Sequence, residues 1–344
     1  MKEKEDFIVI EVKNLVKQYD NHLAVDNLTF TVPKGQILGF LGPNGAGKST
    51  TMNIITGYIS ATSGSVTING HDIYEEPEEA KKSIGYLPEQ PPVYMDMKVK
   101  EYLNFVAELK SVPKKQRVTE VERALEKTKT KEVAHRLIKH LSKGFRQRVG
   151  IAQAIIGNPE VVILDEPTVG LDPMQIIEIR DLMKELAKEH TVILSSHILS
   201  EISAVCDTVM IINKGKLVVS DTVENLPKHL NAKNSCKVLV KGTEEKVRQA
   251  LAHRKEIENL SFEEKDNGFL QIVITTSSEY DVREDLFAVF AKSGIQIYEM
   301  ANVSKNLEDI FLELTQNTKE NNEKEEDMLE KIEESEEEDN DGNL

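Results

Sequence analysis

The chain has little cysteine, no long hydrophobic run and no surplus of positive charge, and each shortage removes a class of function. Only Cys206 and Cys236 occur in 344 residues. They fall on different predicted elements, and neither has a second thiol or a histidine at metal-ligand spacing, so both read as structural. Apolar runs are short, as in Val161-Val162-Ile163-Leu164, and none approaches the roughly 20 residues that cross a bilayer. Nothing is therefore expected to span a membrane. The segment Met1-Lys2-Glu3-Lys4-Glu5-Asp6 is charged and runs into a strand-like Phe7-Ile8-Val9-Ile10 without a signal-like apolar region, which predicts a cytosolic chain. The formal charge is −16, of which residues 319–344 contribute −10 from 13 acidic and 3 basic side chains, leaving −6 for residues 1–318. A mildly acidic body is a poor match for a phosphate backbone, and no nucleic-acid partner is expected. The acidic tail cannot bury enough apolar area to offset chain entropy and is expected to be disordered or loosely helical.

What is present is organised as two domains and a tail. Short apolar runs alternate with longer helical patterns through about residue 230, which implies an α/β domain with a parallel core sheet. Core strands are predicted at Gln36–Leu41, Ile84–Leu87, Val161–Leu164, Thr191–Ser195 and Val209–Ile212. A more antiparallel set is expected at Phe7–Val12, Leu28–Val32, Val66–Asn69 and Lys216–Val219. Helices near Val99–Ser111, Lys114–Lys127 and Lys131–Lys139 bunch together as a helical insert, punctuated by Pro113 and Thr128-Lys129-Thr130. After Leu226-Pro227 the pattern changes to strand Lys237–Val240, helix Glu244–His253, strands Ile257–Glu263 and Phe269–Thr275, helix Asp281–Lys292 and strand Ile295–Met300. That order predicts a βαββαβ, ferredoxin-like module, with Asp266-Asn267-Gly268 as a hairpin turn and a closing helix at Leu307–Leu314. The expected limits are 7–230, 234–317 and 318–344.

The chemistry is carried first by Gly42-Pro43-Asn44-Gly45-Ala46-Gly47-Lys48-Ser49-Thr50, a complete Gly-x4-Gly-Lys-[Ser/Thr] loop. Gly42, Gly45 and Gly47 lack a Cβ, so the backbone can take positive φ and bring its N–H groups to phosphate oxygens. Lys48 supplies an ammonium for the outer phosphates, the Ser49 hydroxyl can sit on Mg²⁺, and a helix beginning near Lys48 points its positive end at the anion. The flanking strand and helix complete the arrangement, and the substrate it predicts is a nucleoside triphosphate.

The second element is Val161-Val162-Ile163-Leu164-Asp165-Glu166-Pro167. Four apolar β-formers predict a strand buried on both faces, with carboxylates where it emerges. Beside a phosphate loop, Asp165 can hold Mg²⁺ with Ser49, and Glu166 can orient and deprotonate the attacking water.

In the order and spacing of its further motifs the chain resembles the ATP-binding subunit of an ABC transporter. Leu141-Ser142-Lys143-Gly144-Phe145-Arg146-Gln147-Arg148 is similar to that family's signature loop, ahead of a helix predicted at Gln147–Ile156. Gly170-Leu171-Asp172-Pro173 resembles the D-loop, His197 the switch histidine, and Gln90 the end of the Q-loop, while Tyr19 stands where the family stacks an aromatic ring on adenine. The resemblance covers about residues 7–230. It implies a P-loop cassette with a mainly parallel core sheet, an antiparallel β subdomain and a helical insert, to which the ferredoxin-like domain is appended. It implies ATP and Mg²⁺ as ligands, with Ser49, Gln90 and Asp165 around the metal, Tyr19 and residues 42–50 around ATP, and Glu166, His197, Gln90 and Lys48 in hydrolysis. Leu141, Ser142, Lys143, Gly144 and Phe145 would act on the nucleotide of a second subunit, with Asp172 of the D-loop close by.

One departure stands out, since the family's commonest signature is Leu-Ser-Gly-Gly-Gln and this chain places Lys143 and Phe145 at its third and fifth positions. The resemblance further implies a homodimer that drives a separate membrane permease, with an export lean from the Lys-Gly-aromatic signature and from Asn306–Thr315. The subunit would then lie at the inner face of the cell membrane through that permease, contacting it near Gln90 and Pro91-Pro92-Val93-Tyr94. The rival readings are a soluble cassette ATPase acting on ribosomes, a DNA-repair ATPase and a nucleotide sensor without turnover. A single phosphate loop argues against the first, an insert of about fifty residues without a coiled coil against the second, and the retained Glu166 and His197 against the third.

Overall fold

The computed structural model describes residues 7–226, 234–252, 254–265, 268–276 and 282–303. They form two compact units, one running to Val223 and the other beginning at Glu224. The expected tail, the Leu307–Leu314 helix and Asp266-Asn267 of the hairpin turn lie outside the described residues.

The first unit opens with β1 (Ile8–Tyr19) and β2 (His22–Pro33), then β3 (Ile37–Leu41), α1 (Lys48–Ile55), β4 (Ser63–Ile68), β5 (His71–Asp72), α2 (Pro77–Lys82) and β6 (Ile84–Leu87). Next come α3 (Val99–Leu109), α4 (Lys114–Lys127), α5 (Lys143–Ile155), β7 (Val161–Asp165), α6 (Pro173–Leu186), β8 (Thr191–Ser196), α7 (Leu199–Ser203), β9 (Thr208–Asn213) and β10 (Lys216–Thr222). One sheet is antiparallel in the order β2-β1-β4-β5. The other runs β10-β9-β3-β8-β7-β6, parallel except where β10 turns back on β9. All residues of β3, β7 and β8 are buried, as strands covered on both faces must be. One apolar cluster joins Val9, Ile10 and Phe30 of the antiparallel sheet to Leu38 and Phe40 of β3, Val161 and Ile163 of β7, and Met52, Ile54 and Ile55 of α1. Phe30 and Phe40 meet with ring centroids 5.5 Å apart. The sheets and α1 therefore share a core, which holds the loop ahead of α1 in place.

The sequence pattern misreads two places. Lys131–Lys139 is not a helix but two single 3₁₀ turns, Lys131–Val133 and Ile138–His140. The intervening backbone pairs elsewhere: Arg136 and Ala134 carbonyls accept from Val99 and Lys100, and Ile138 and Lys139 donate to Met97 and Met95. Helix α5 begins at Lys143 rather than Gln147, because Ser142 caps it by accepting from the Phe145 N–H at 3.3 Å.

The second unit has β11 (Asn234–Lys241), α8 (Glu244–Leu251), β12 (Ile257–Lys265), β13 (Phe269–Thr276), α9 (Arg283–Lys292) and β14 (Gln296–Val303). Its sheet is antiparallel in the order β12-β13-β11-β14, the ferredoxin-like arrangement. Alternation in β13 sends Leu270, Ile272 and Ile274 against Val247 and Leu251 of α8 and Leu286 and Phe290 of α9.

Candidate functional site: a phosphate-type loop facing two carboxylates

Parallel strands of an open sheet gather their C-terminal ends on one edge, where the helix N-termini also point. The loop between β3 and α1 lies on that edge. Gly45 and Gly47 take φ of +81° and +100°. Gly47 is also the residue before helix α1, and a Cβ there would stand 2.4 Å from the Ala24 carbonyl oxygen. Gly42 does not take positive φ, contrary to expectation. A Cβ on it would lie 2.5 Å from the Ile212 carbonyl oxygen, so close backbone approach is what demands glycine there. The loop closes through Ala46 N–H donating to the Pro43 carbonyl at 3.1 Å, and Thr51 ties α1 back to Gly47 at 2.8 Å.

Lys48 is 6% exposed. Its ammonium donates to the Gly42 carbonyl at 2.8 Å and the Pro43 carbonyl at 3.3 Å, and stands 3.5 Å from Glu166 Oε1. Glu166 follows β7 directly and is itself buried, in the left-handed region at φ +46°. Its N–H donates to Ser195 Oγ at 2.9 Å, while that hydroxyl donates to Asp165 Oδ1 at 2.5 Å. The two contacts hold both carboxylate-bearing residues from the neighbouring strand, and they offset the cost of the strained backbone. The other Glu166 oxygen, Oε2, lies 3.0 Å from His197 Nδ1. One carboxylate thus stands between a lysine ammonium and a half-exposed imidazole.

Around these groups is a cavity of about 540 Å³ lined by Asn44, Gly45, Gly47, Lys48, Ser49, Thr50, Glu166, His197 and Tyr19 among others. Tyr19 lies at the rim, 44% exposed, with the Lys17 ammonium 4.9 Å from its ring centroid. A second cavity of about 680 Å³ shares Ser49 and is bordered by Asp165, Gln90 and Tyr86. Ser49, Asp165 and Gln90 thus bring three hard oxygen donors to one space. Burial, reinforced by the Asp165 charge, raises the Tyr86 phenol well above its ordinary value, so it stays protonated and donates to Asn53 Oδ1 at 3.0 Å. Among the described residues no group of three or more His, Cys, Asp or Glu side chains could hold a metal by itself.

The signature residues do not line the 540 Å³ cavity of their own chain. Leu141 is buried, Ser142 is the exposed cap of α5, and Lys143, Gly144 and Phe145 form its first turn. Lys143 lays its ammonium over Gly170, where an added Cβ would be 2.1 Å away, and Gly144 packs against the Gln175 amide. Asp172 caps α6 by accepting from the Gln175 N–H at 3.0 Å. The signature turn and the Gly170–Asp172 turn therefore support each other within the chain.

Sequence reasoning overlooked Ser195, Ser196, Thr168 and Glu201. The available signal was the pair of hydroxyls immediately before His197 at the end of a buried strand. A strand end facing the core leaves no solvent for a hydroxyl, which must find a partner on the adjacent strand.

The family model for ABC transporters matches residues 25–169. An uncharacterized ABC transporter ATP-binding protein, YhcH of Bacillus subtilis (strain 168), is 36% identical over 91% of this chain and 97% of its own length. The bacitracin transport ATP-binding protein BcrA of Bacillus licheniformis is 35% identical over 89% of this chain and 97% of its own. Among solved structures, an ATP-binding subunit of an ABC transporter superposes with a TM-score of 0.59 at 30% identity, covering 64% of this chain and 92% of that one. With a phosphate loop, two strand-end carboxylates and a histidine already assembled by the fold, these likenesses place the chain in the ABC transporter ATP-binding proteins, a family of ATP-hydrolysing subunits.

Proposed function

We propose that this subunit hydrolyses ATP–Mg²⁺ at the interface of two cassettes and drives a separate membrane permease that exports its substrate. The observation that carries the reading is the placement of Glu166, with one oxygen toward Lys48 and the other toward His197 at the wall of the cavity. Backbone carbonyls leave no room for a Cβ at Gly42 or Gly47, which keeps the loop in this course, and residues 42–50 would wrap the phosphates with Tyr19 against the base. Lys48 would leave the Gly42 and Pro43 carbonyls for the outer phosphates.

Ser49, Asp165 and Gln90 would hold Mg²⁺. Oxygen donors few enough to leave places for water and phosphate suit that ion. When bound, it would neutralise charge on the transferring phosphoryl group. Glu166 would orient and deprotonate water, and His197 would keep that carboxylate turned toward the phosphate side.

The signature turn lies off its own chain's cavity and Ser142 is exposed at the start of α5, so the N-terminus of that helix would face the nucleotide of a second subunit. This supports a head-to-tail dimer, with Asp172 beside the contact. Among the described residues no helix is long and apolar enough to cross a membrane, so transport would require a separate permease. The name of BcrA supports a transport role, and the Lys-Gly-aromatic signature supports export. An inner-face location through that permease follows from the same reading.

The test is Glu166→Gln. Hydrolysis should slow by about 10²–10⁴, the usual worth of a general base. ATP binding should persist, and an ATP-dependent dimer should accumulate on size exclusion. Hydrolysis at nearly the wild-type rate would overturn the assignment.

A further inference from the structure

Glu201 is a carboxylate that none of the steps above employs, yet it is 6% exposed on the short helix α7. A buried carboxylate is costly unless its oxygens are satisfied, and an apolar residue between Leu199 and Ile202, both buried, would avoid that cost. Its partners indicate why a charge stands there. Oε2 of Glu201 accepts from Thr168 Oγ1 and, at 3.2 Å, from Ser196 Oγ. Ser196 Oγ accepts in turn from the Ile198 N–H at 3.0 Å, which bends the chain around His197.

The positions of these partners matter more than their number. Thr168 is two residues beyond Glu166, in the turn leaving β7. Ser196 is the residue before His197, at the end of β8. A single oxygen therefore ties the turn that carries the carboxylate to the segment that carries the imidazole. The two functional groups it brackets are 3.0 Å apart. Hydrogen bonds from two hydroxyls to one carboxylate oxygen are directional, so they define a separation that apolar packing would leave loose.

We propose that Glu201 is a positioning residue for ATP hydrolysis: by holding Thr168 and Ser196 on one oxygen, it fixes the Glu166 carboxylate against the His197 imidazole. The inference rests on the reading of Glu166 and His197 given above. It makes no demand on nucleotide affinity, because neither Thr168, Ser196 nor Glu201 lines the cavity that holds the loop residues.

Two substitutions separate positioning from mere packing. Glu201→Gln keeps an oxygen that accepts from both hydroxyls, whereas Glu201→Leu removes the acceptor and retains bulk. Glu201→Leu should lower kcat by about 10–10²-fold, the scale of a misplacement near 1 Å, with KM for ATP within about twofold. Glu201→Gln should recover kcat to within about threefold of wild type. The imidazole ¹⁵N resonances of His197 in the nucleotide-free protein should move in Glu201→Leu and stay in place in Glu201→Gln.

If Glu201→Leu does not fold, as judged by its thermal melt, Thr168→Val removes one hydroxyl at constant shape and should lower kcat several-fold with KM unchanged. Full kcat in a folded Glu201→Leu or Thr168→Val protein, while Glu166→Gln is slow, overturns the positioning role alone. A fast Glu166→Gln protein overturns the underlying reading instead. Equal losses in Glu201→Gln and Glu201→Leu would show that the charge, not the acceptor geometry, is what matters, and would also overturn the proposal.

Discussion

The two units of this chain bury polar groups differently. The first takes Lys48, Asp165, Glu166, His190 and Glu201 out of solvent, along with a set of hydroxyls. In the second, the only polar side chains buried among the described residues are Ser235 and Thr276, and its core is Val238, Val240, Ile272, Ile274, Phe290 and their neighbours. Desolvated charge is costly and is retained where it does something apolar packing cannot. In the first unit Lys48 sits at the start of α1, Asp165 and Glu166 at the end of β7, and Glu201 on α7 just beyond β8. The contrast marks one unit as the seat of chemistry and the other as a body held by apolar burial.

The comparison can be broken most forcefully from the apolar side. Phe290 is fully buried on α9, and Phe290→Ala should cost the second unit about 3–5 kcal/mol in a denaturant titration. If that unit is only a packed body, ATP hydrolysis at a temperature where the variant stays folded should remain near wild type. A parallel collapse of hydrolysis would give the second unit a part in turnover.

On the polar side, Ser195→Ala leaves the Glu166 N–H and Asp165 Oδ1 without their common partner. A buried group left unsatisfied costs about 1–3 kcal/mol. Hydrolysis should fall more than stability alone explains, since Asp165 and Glu166 both lose their anchor. Unchanged kcat in a protein with a lowered melting temperature would reduce Ser195 to a structural group.

A smaller effect concerns His190, buried with Nδ1 2.6 Å from the Pro159 carbonyl and with Nε2 lacking a partner. Burial holds its pKa below the ordinary 6.5, helped by the nearby Lys127 and Arg123 charges. Because the folded value is the lower one, protonation favours the unfolded chain. Stability is therefore complete above the unfolded value and is lost as pH falls below about 6.5 toward the folded one, with a slope of at most about 1.4 kcal/mol per pH unit. Urea midpoints at pH 7.5 and 5.5 should differ less in His190→Asn, which keeps a donor toward Pro159 but cannot titrate. The smallest expected effect is that of removing residues 319–344, whose −10 charge and few apolar side chains give hydrolysis nothing to use. Steady-state rates with and without them should agree, and a large loss in a folded truncation would make the segment regulatory.

Legibility followed contiguity. The loop from Gly42 to Thr50 and the run from Val161 to Glu166 each place their chemistry within a few residues of chain, and each could be read with its strand or helix. Lys131–Lys139 could not, because the hydrogen-bond partners that displace its helix, Met95, Met97, Val99 and Lys100, are more than thirty residues earlier. Nor could the start of α5, where the cap at Ser142 draws the signature residues into the helix.

By itself the sequence determined the nucleotide chemistry, the alternation that builds the parallel sheet and the βαββαβ order of the second unit, since these depend on local spacing and on the period of apolar residues. Only the tertiary structure decided which groups act together. Asp165 faces Ser195 because β7 and β8 pair in parallel in that register, and Glu166 meets both Lys48 and His197 because three strand ends converge on one edge. A serine or a glutamate carries no mark of this in the chain, for a hydrogen bond reaches about 3 Å in space and is indifferent to the number of residues between its ends.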